Sequence, residues 1–111
     1  MKSGLAAFAL AVATILFATS AHADRYDRRV RIENFTSTTM TYFYASNVDR
    51  TTWEEDILGN SVLPAGRSIV INVDDGSGYC RYDFRAIFAD GADLIRSGVN
   101  VCEVGVYTYY D

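Results

Sequence analysis

The chain has 111 residues, with ten basic and fourteen acidic side chains and a formal charge of −4. Its lysine, Lys2, and its histidine, His22, both fall at the amino end, so beyond residue 23 the ionisable inventory is arginine, carboxylate and tyrosine, apart from two cysteines. That excludes Ser-His-Asp and Cys-His catalysis, histidine zinc sites, Schiff-base lysines and the P-loop lysine, and an acidic balance gives no general pull toward nucleic acid.

Met1 and Lys2 precede an almost unbroken apolar run over 5–18, followed by the small-x-small triplet Ala21-His22-Ala23. Residues 1–23 are therefore expected to be a secretory signal peptide and 24–111 the exported domain, placed in the periplasm or outside the cell. The apolar run is shorter than the roughly 20 residues that cross a bilayer, so no membrane span is expected after its removal. What remains is one domain, near the size at which a single core is only marginally sufficient. Arg25, Arg28, Arg29 and Arg31, diluted by Asp24 and Asp27, read as a solvated, frayed start.

Apolar residues then recur with period two among abundant Val, Ile, Thr, Tyr and Phe, which favours strands. Strands are expected over 30–35, 40–45, 67–73, 79–89, 94–102 and 104–110. In the second, strict alternation puts Met40, Tyr42 and Tyr44 on one face and Thr41, Phe43 and Ala45 on the other. One segment departs from the pattern. In 51–59 a threonine precedes glutamate by three residues and Gly59 closes the run, the marks of a helix of about two turns packed through Trp53, Ile57 and Leu58. The fold class is all-β: a small six-stranded sandwich or partly open barrel with one short helix and one disulfide.

That disulfide joins Cys80 and Cys102, the only cysteines, and in an exported domain it is expected to stabilise the fold by about 3 kcal/mol. Asp90-Gly91-Ala92 has the chemistry of a three-residue hairpin loop. With Ala89 opposite Asp93, Cys80 falls directly opposite Cys102, and Phe88, Phe84 and Tyr82 share the cysteine face. Asp83 then sits between Arg81 and Arg85 on the other face, a charge ladder worth at most about 1 kcal/mol if exposed. This register also puts Val99 and Val101 on the arginine face. Gly98 is the candidate bulge that would turn them inward and shift Cys102 off the direct position.

Few groups point to chemistry. Val73-Asp74-Asp75-Gly76-Ser77-Gly78-Tyr79-Cys80 resembles a calcium loop, but the twelfth residue, where an EF-hand needs glutamate, is Arg85 or Ala86. A looser calcium site from Asp74 or Asp75 with Asp90 and Asp93 stays open beside a plain tight turn. Glu54-Glu55-Asp56 is the densest carboxylate group and suits the first turn of a helix better than catalysis, which in a glycosidase also needs a deep cleft. No catalytic residue, metal or cofactor is assigned. Tyr42, Tyr44, Trp53, Tyr107 and Tyr109 form a candidate binding surface for a sugar or a protein, or else the roof of the core. The closing strand is a candidate sheet edge open to strand addition.

The W-x-x-D-x-L-G block at 53–59 and the D-G-x-G-x-C-x-Y-D-x-R block at 75–85, with Leu63-Pro64-Ala65-Gly66 between them and Asp90-Gly91 and Val101-Cys102 after them, resemble a widespread group of small exported bacterial β-domains. The resemblance implies an exported bacterial domain and brings no catalytic residue. The expected function is a non-enzymatic binding or interaction domain of the bacterial envelope, its partner a protein or an envelope component. A carbohydrate- or calcium-binding module is the alternative, and a small carboxylate-dependent hydrolase ranks below both. Intact mass spectrometry of protein recovered from its native compartment is expected to give a chain starting at Asp24 and lacking two thiol hydrogens. Free thiols or a retained leader contradict this reading.

Overall fold

A computed structural model describes residues 25–111; the expected signal segment over 1–23 lies outside the described residues. Six strands follow one another: β1 (Arg29–Phe35), β2 (Met40–Asn47), β3 (Arg67–Asn72), β4 (Arg81–Phe88), β5 (Asp93–Asn100) and β6 (Val106–Tyr110). They form two three-stranded sheets, in the orders β3-β1-β6 and β2-β4-β5. In the first, β1 runs antiparallel to β3 and parallel to β6, so the first and last strands are neighbours. In the second, β4 runs antiparallel to both flanking strands.

The sheets pack face to face through alternating side chains. In β4, Tyr82, Phe84, Ala86 and Phe88 are buried, and in β1 Val30 and Ile32 meet them. Aromatic edges join the layers: Phe84 to Tyr107 at 5.3 Å, Phe88 to Tyr109 at 6.0 Å and Phe43 to Tyr109 at 6.4 Å between centroids. Such pairs add about 0.5–1.5 kcal/mol each beyond the area they bury.

Two breaks in alternation set which residues enter this core. In β2 the register slips between Met40 and Tyr42, leaving Thr41 as the extra residue. Met40 and Phe43 therefore both point inward, and Tyr42 and Tyr44 both point outward, where strict alternation would have grouped Met40 with the tyrosines. In the β4–β5 hairpin the register near the turn pairs Ile87 with Asp93 and Phe84 with Arg96, two positions away from the expected pairing of Ala89 with Asp93. Beyond Phe84, Ser97 and Gly98 oppose Asp83 alone. Gly98 takes a left-handed φ of 69° and donates its N–H to Asp83 Oδ1 at 2.9 Å. This bulge turns Val99 and Val101 inward, and Val101 becomes 1% exposed. A turn held by the Asn100 side chain then brings Cys102 onto Cys80, their Cα atoms 5.3 Å apart and their sulfurs bonded.

The short helix expected over 51–59 does not form. Glu54 has a φ of 59°, a left-handed conformation that a right-handed helix of L-residues cannot contain. The segment instead runs as a strap along the outer edge of β2. Asp56 Oδ1 accepts the backbone N–H of Phe43 at 2.9 Å and of Leu58 at 3.1 Å, and Ile57 N–H donates to the Phe43 carbonyl at 2.8 Å. Further along, Met40 and Leu63 exchange both backbone hydrogen bonds at 2.9 Å. An isolated two-turn helix is marginal in water. The strap satisfies the exposed edge of β2 and buries Leu58 and Leu63 against the core.

Asn34 fastens the next crossing. Fully buried, it donates from Nδ2 to the carbonyls of Thr38 and Leu63, both at 2.9 Å, and accepts the Thr36 hydroxyl at 2.6 Å. The role of Asp56 gives a direct test. Asp56→Ala leaves the Phe43 N–H without its acceptor and is expected to cost about 1–3 kcal/mol, whereas Asp56→Asn keeps an oxygen there and is expected to fall within about 0.5 kcal/mol of wild type. Urea unfolding measures both, and equal losses in the two variants would contradict the strap.

Candidate functional site

The outer face of the β2-β4-β5 sheet brings together three aromatic residues that the core does not take. Tyr42 and Tyr44 stand side by side on β2 with centroids 6.3 Å apart and planes 4° from parallel. The first residues of the strap bring Trp53 beside Tyr44, 6.4 Å away and tilted by 51°. From β4, the Arg85 guanidinium reaches over the Tyr44 ring at 6.0 Å and the Trp53 ring at 5.9 Å. Asp93 on β5 grips the same guanidinium through both oxygens, at 2.9 and 2.7 Å. These hydrogen bonds from Arg85 hold the Asp93 carboxyl below the usual carboxylate range. A cation over an exposed aromatic face is worth about 0.5–1 kcal/mol. Its larger effect here is to fix ring orientation, because the planar guanidinium is itself held on a strand.

Beside Trp53 lies a depression of about 110 Å³ lined by Ser46, Arg50, Thr51, Thr52 and Asp83 as well as the indole. The Ser46 hydroxyl donates to the Thr52 carbonyl at 2.9 Å, which ties the turn to β2. Arg50 is ion-paired with Glu54. Asp83 holds the bulge through Oδ1, and among the described residues no group donates to its Oδ2. The depression thus joins an aromatic wall to a carboxylate oxygen with spare accepting capacity and a rim of hydroxyls.

The five aromatic residues expected to form a surface are divided. Tyr42, Tyr44 and Trp53 come together on this outer face, with Tyr42 46% exposed. Tyr107 and Tyr109 lie on β6 and point into the interior against Phe84 and Phe88, so they roof the core. Tyr109 is 3% exposed, its hydroxyl is buried without a partner among the described residues, and burial pushes its pKa up.

Nor are the four aspartates of the possible calcium site brought together. Asp74 and Asp75 precede β4, whereas Asp90 and Asp93 follow its far end. Asp93 is engaged by Arg85. Among the described residues no group of three or more His, Cys, Asp or Glu side chains is placed to hold a metal ion. Glu54 and Glu55 are exposed on the strap.

The loop before β4 is a chain of local turns. Asn72 Oδ1 accepts the Asp74 N–H, Asp74 Oδ1 that of Gly76, and Asp75 Oδ1 that of Ser77, each at 3.0 Å. Asp75 also accepts the Asn47 amide at 2.8 Å and the buried Tyr82 hydroxyl at 2.8 Å. Beneath the loop, Arg28 is 4% exposed and donates to the carbonyls of Tyr79 at 2.6 Å and Gly78 at 3.1 Å. The arginine-rich start is therefore anchored, not frayed. Residue type gave no sign that Arg28 differs from Arg25 or Arg29, because the distinction lies in where the chain passes. The helix-forming pattern likewise hid Asp56, and only W-x-x-D spacing marked it out.

Comparison with known proteins finds no match: no family model, no curated protein and no solved structure aligns significantly with this chain.

Asp75 makes the loop sensitive to acid. Burial works against its charge, but hydrogen bonds from Ser77, Asn47 and Tyr82 outweigh that and hold the carboxyl well below the usual carboxylate range. A carboxylate depressed in the folded state contributes stability above its unfolded pKa of about 3.9, and that contribution fades as pH falls through the folded value. Stability is thus expected to decline on acidification below about pH 4, with a shallower decline in Asp75→Asn. At neutral pH Asp75→Ala, which leaves the Tyr82 hydroxyl unpaired, is expected to lose about 1–3 kcal/mol. Urea midpoints measured against pH check both, and identical slopes for wild type and Asp75→Asn would refute the assignment.

Proposed function

We propose that this protein is an exported, disulfide-stapled, non-enzymatic binding domain of the bacterial envelope, and that it makes contact through the outer face of the β2-β4-β5 sheet. The observation that carries the reading is the convergence of Tyr42, Tyr44 and Trp53 on one surface, with Arg85 clamped over two of the three rings by Asp93. Aromatic rings held by strands lose little conformational freedom on binding, which is why such residues dominate contact surfaces. Export is supported by the leader-like segment over 1–23, and a single disulfide suits an oxidising compartment. Beyond residue 23 the chain has neither histidine nor lysine, which favours binding over acid–base or nucleophilic catalysis. Among the described residues no helix is long and apolar enough to cross a membrane.

Hydroxyl-radical footprinting tests the contact face. In a suspension of the cell envelope, oxidation of Tyr42 and Trp53 is expected to fall at least threefold relative to the isolated protein. Tyr110, exposed on the opposite sheet, is expected to stay unprotected. Protection of Tyr110 with Tyr42 left reactive would overturn the assignment.

A further inference from the structure

The groups around Trp53 are selective enough to name a class of ligand. The two arginines beside Trp53 are already matched, Arg85 by Asp93 and Arg50 by Glu54, while Arg81, the third arginine of this face, donates to the Gly98 carbonyl at 3.0 Å and does not line the depression. An anionic ligand would have to displace those carboxylates, and it would approach Asp83 as a like charge. A wholly apolar ligand would strip water from Asp83 and the rim hydroxyls without replacing their hydrogen bonds, at about 1–3 kcal/mol for each group left unpaired. Thr51 and Thr52 instead carry hydroxyls that both donate and accept, the Ser46 hydroxyl gives its proton to the Thr52 carbonyl and keeps accepting capacity, and Asp83 Oδ2 accepts. Set against an indole, this combination complements a molecule with a C–H face and a rim of hydroxyls.

We propose that the depression between Trp53 and Asp83 binds one ring of a neutral saccharide. The ring lays its C–H face on the indole and donates a hydroxyl to Asp83 Oδ2, and the rest of the glycan runs along Tyr44 and Tyr42. This rests on the outer sheet face being the contact surface and adds to it the nature of what is held. The depression, at about 110 Å³, is well below the roughly 300–1,000 Å³ of a pocket that encloses a drug-sized ligand. A single-ring, open contact of this kind goes with weak affinity, on the order of 10 μM to 1 mM.

Trp53 is the only tryptophan, so its fluorescence reports this site alone. The mature oxidised protein, from Asp24 onward, is titrated with maltohexaose, cellohexaose, hexa-N-acetylchitohexaose and dextran, with an oligogalacturonate as the anionic control. At least one neutral glycan is expected to give a saturable change in Trp53 emission. Asp83→Asn keeps an oxygen for the Gly98 N–H, so its melt is expected to match wild type while its affinity drops at least tenfold. Tyr42→Ala is expected to weaken the hexaose at least threefold and leave the matching disaccharide unchanged. A flat response to all four neutral probes up to about 10 mM, a response to the oligogalacturonate alone, or undiminished binding by Asp83→Asn overturns the proposal. If the envelope shields Tyr42 and Trp53 in footprinting while no neutral glycan moves the emission, the saccharide is wrong and the contact face stands.

Discussion

A β-strand offers its side chains only two faces, and one inserted residue exchanges them for everything that follows. This protein uses that exchange twice. The slip at Thr41 sends Met40 and Phe43 into the core and leaves Tyr42 and Tyr44 on the surface. The bulge at Gly98 sends Val99 and Val101 inward on a strand that would otherwise have exposed them. Both the interior and the aromatic outer face follow from these two positions. Asp83 links them, because the carboxylate that holds the Gly98 bulge with one oxygen faces the depression beside Trp53.

A domain of this size has little apolar area to spare, and its connections are held largely by single polar side chains that satisfy several backbone groups. Asp56 stands in for a neighbouring strand along the edge of β2, Asn34 ties the crossing toward β3, and Arg28 and Asp75 fix the loop before β4 from below and from the side. Each sits where a bare backbone group would otherwise be left without a partner. The disulfide closes the same end of the molecule, joining the start of β4 to the turn after β5. Loops near the aromatic outer face are therefore restrained, and Trp53 is carried on a strap whose next turns are bonded to β2.

On the outer sheet the charges are arranged to cancel. Arg85 and Asp93 face each other through two hydrogen bonds, and Arg50 meets Glu54 within one turn of chain. Exposed pairs of this kind add little stability; their consequence is that the two arginines beside the aromatic rings are each matched by a carboxylate, while Arg81 further along β4 donates to the Gly98 carbonyl. What this face offers is ring faces and hydrogen-bonding groups, so the contact proposed for it would be read by shape and hydroxyl pattern more than by charge.

Local pattern determined the strands. Alternation in β1, β3 and β4 is strong enough to mark them without knowledge of their partners, and two cysteines in a chain with an export-like leader implied the bond between Cys80 and Cys102. Gly98 stood out as a bulge because the valines after it would otherwise face the wrong way. Tertiary structure alone decided that β6 lies parallel to β1, that Tyr107 and Tyr109 enter the core while Tyr42 and Tyr44 do not, that 51–59 becomes a strap, and that Arg28 is buried among its exposed neighbours. The physical reason is range. Side-chain periodicity is a property of a few consecutive residues, whereas strand order, the satisfaction of a sheet edge and the burial of a charged group depend on segments far apart in the chain, whose meeting no local window records.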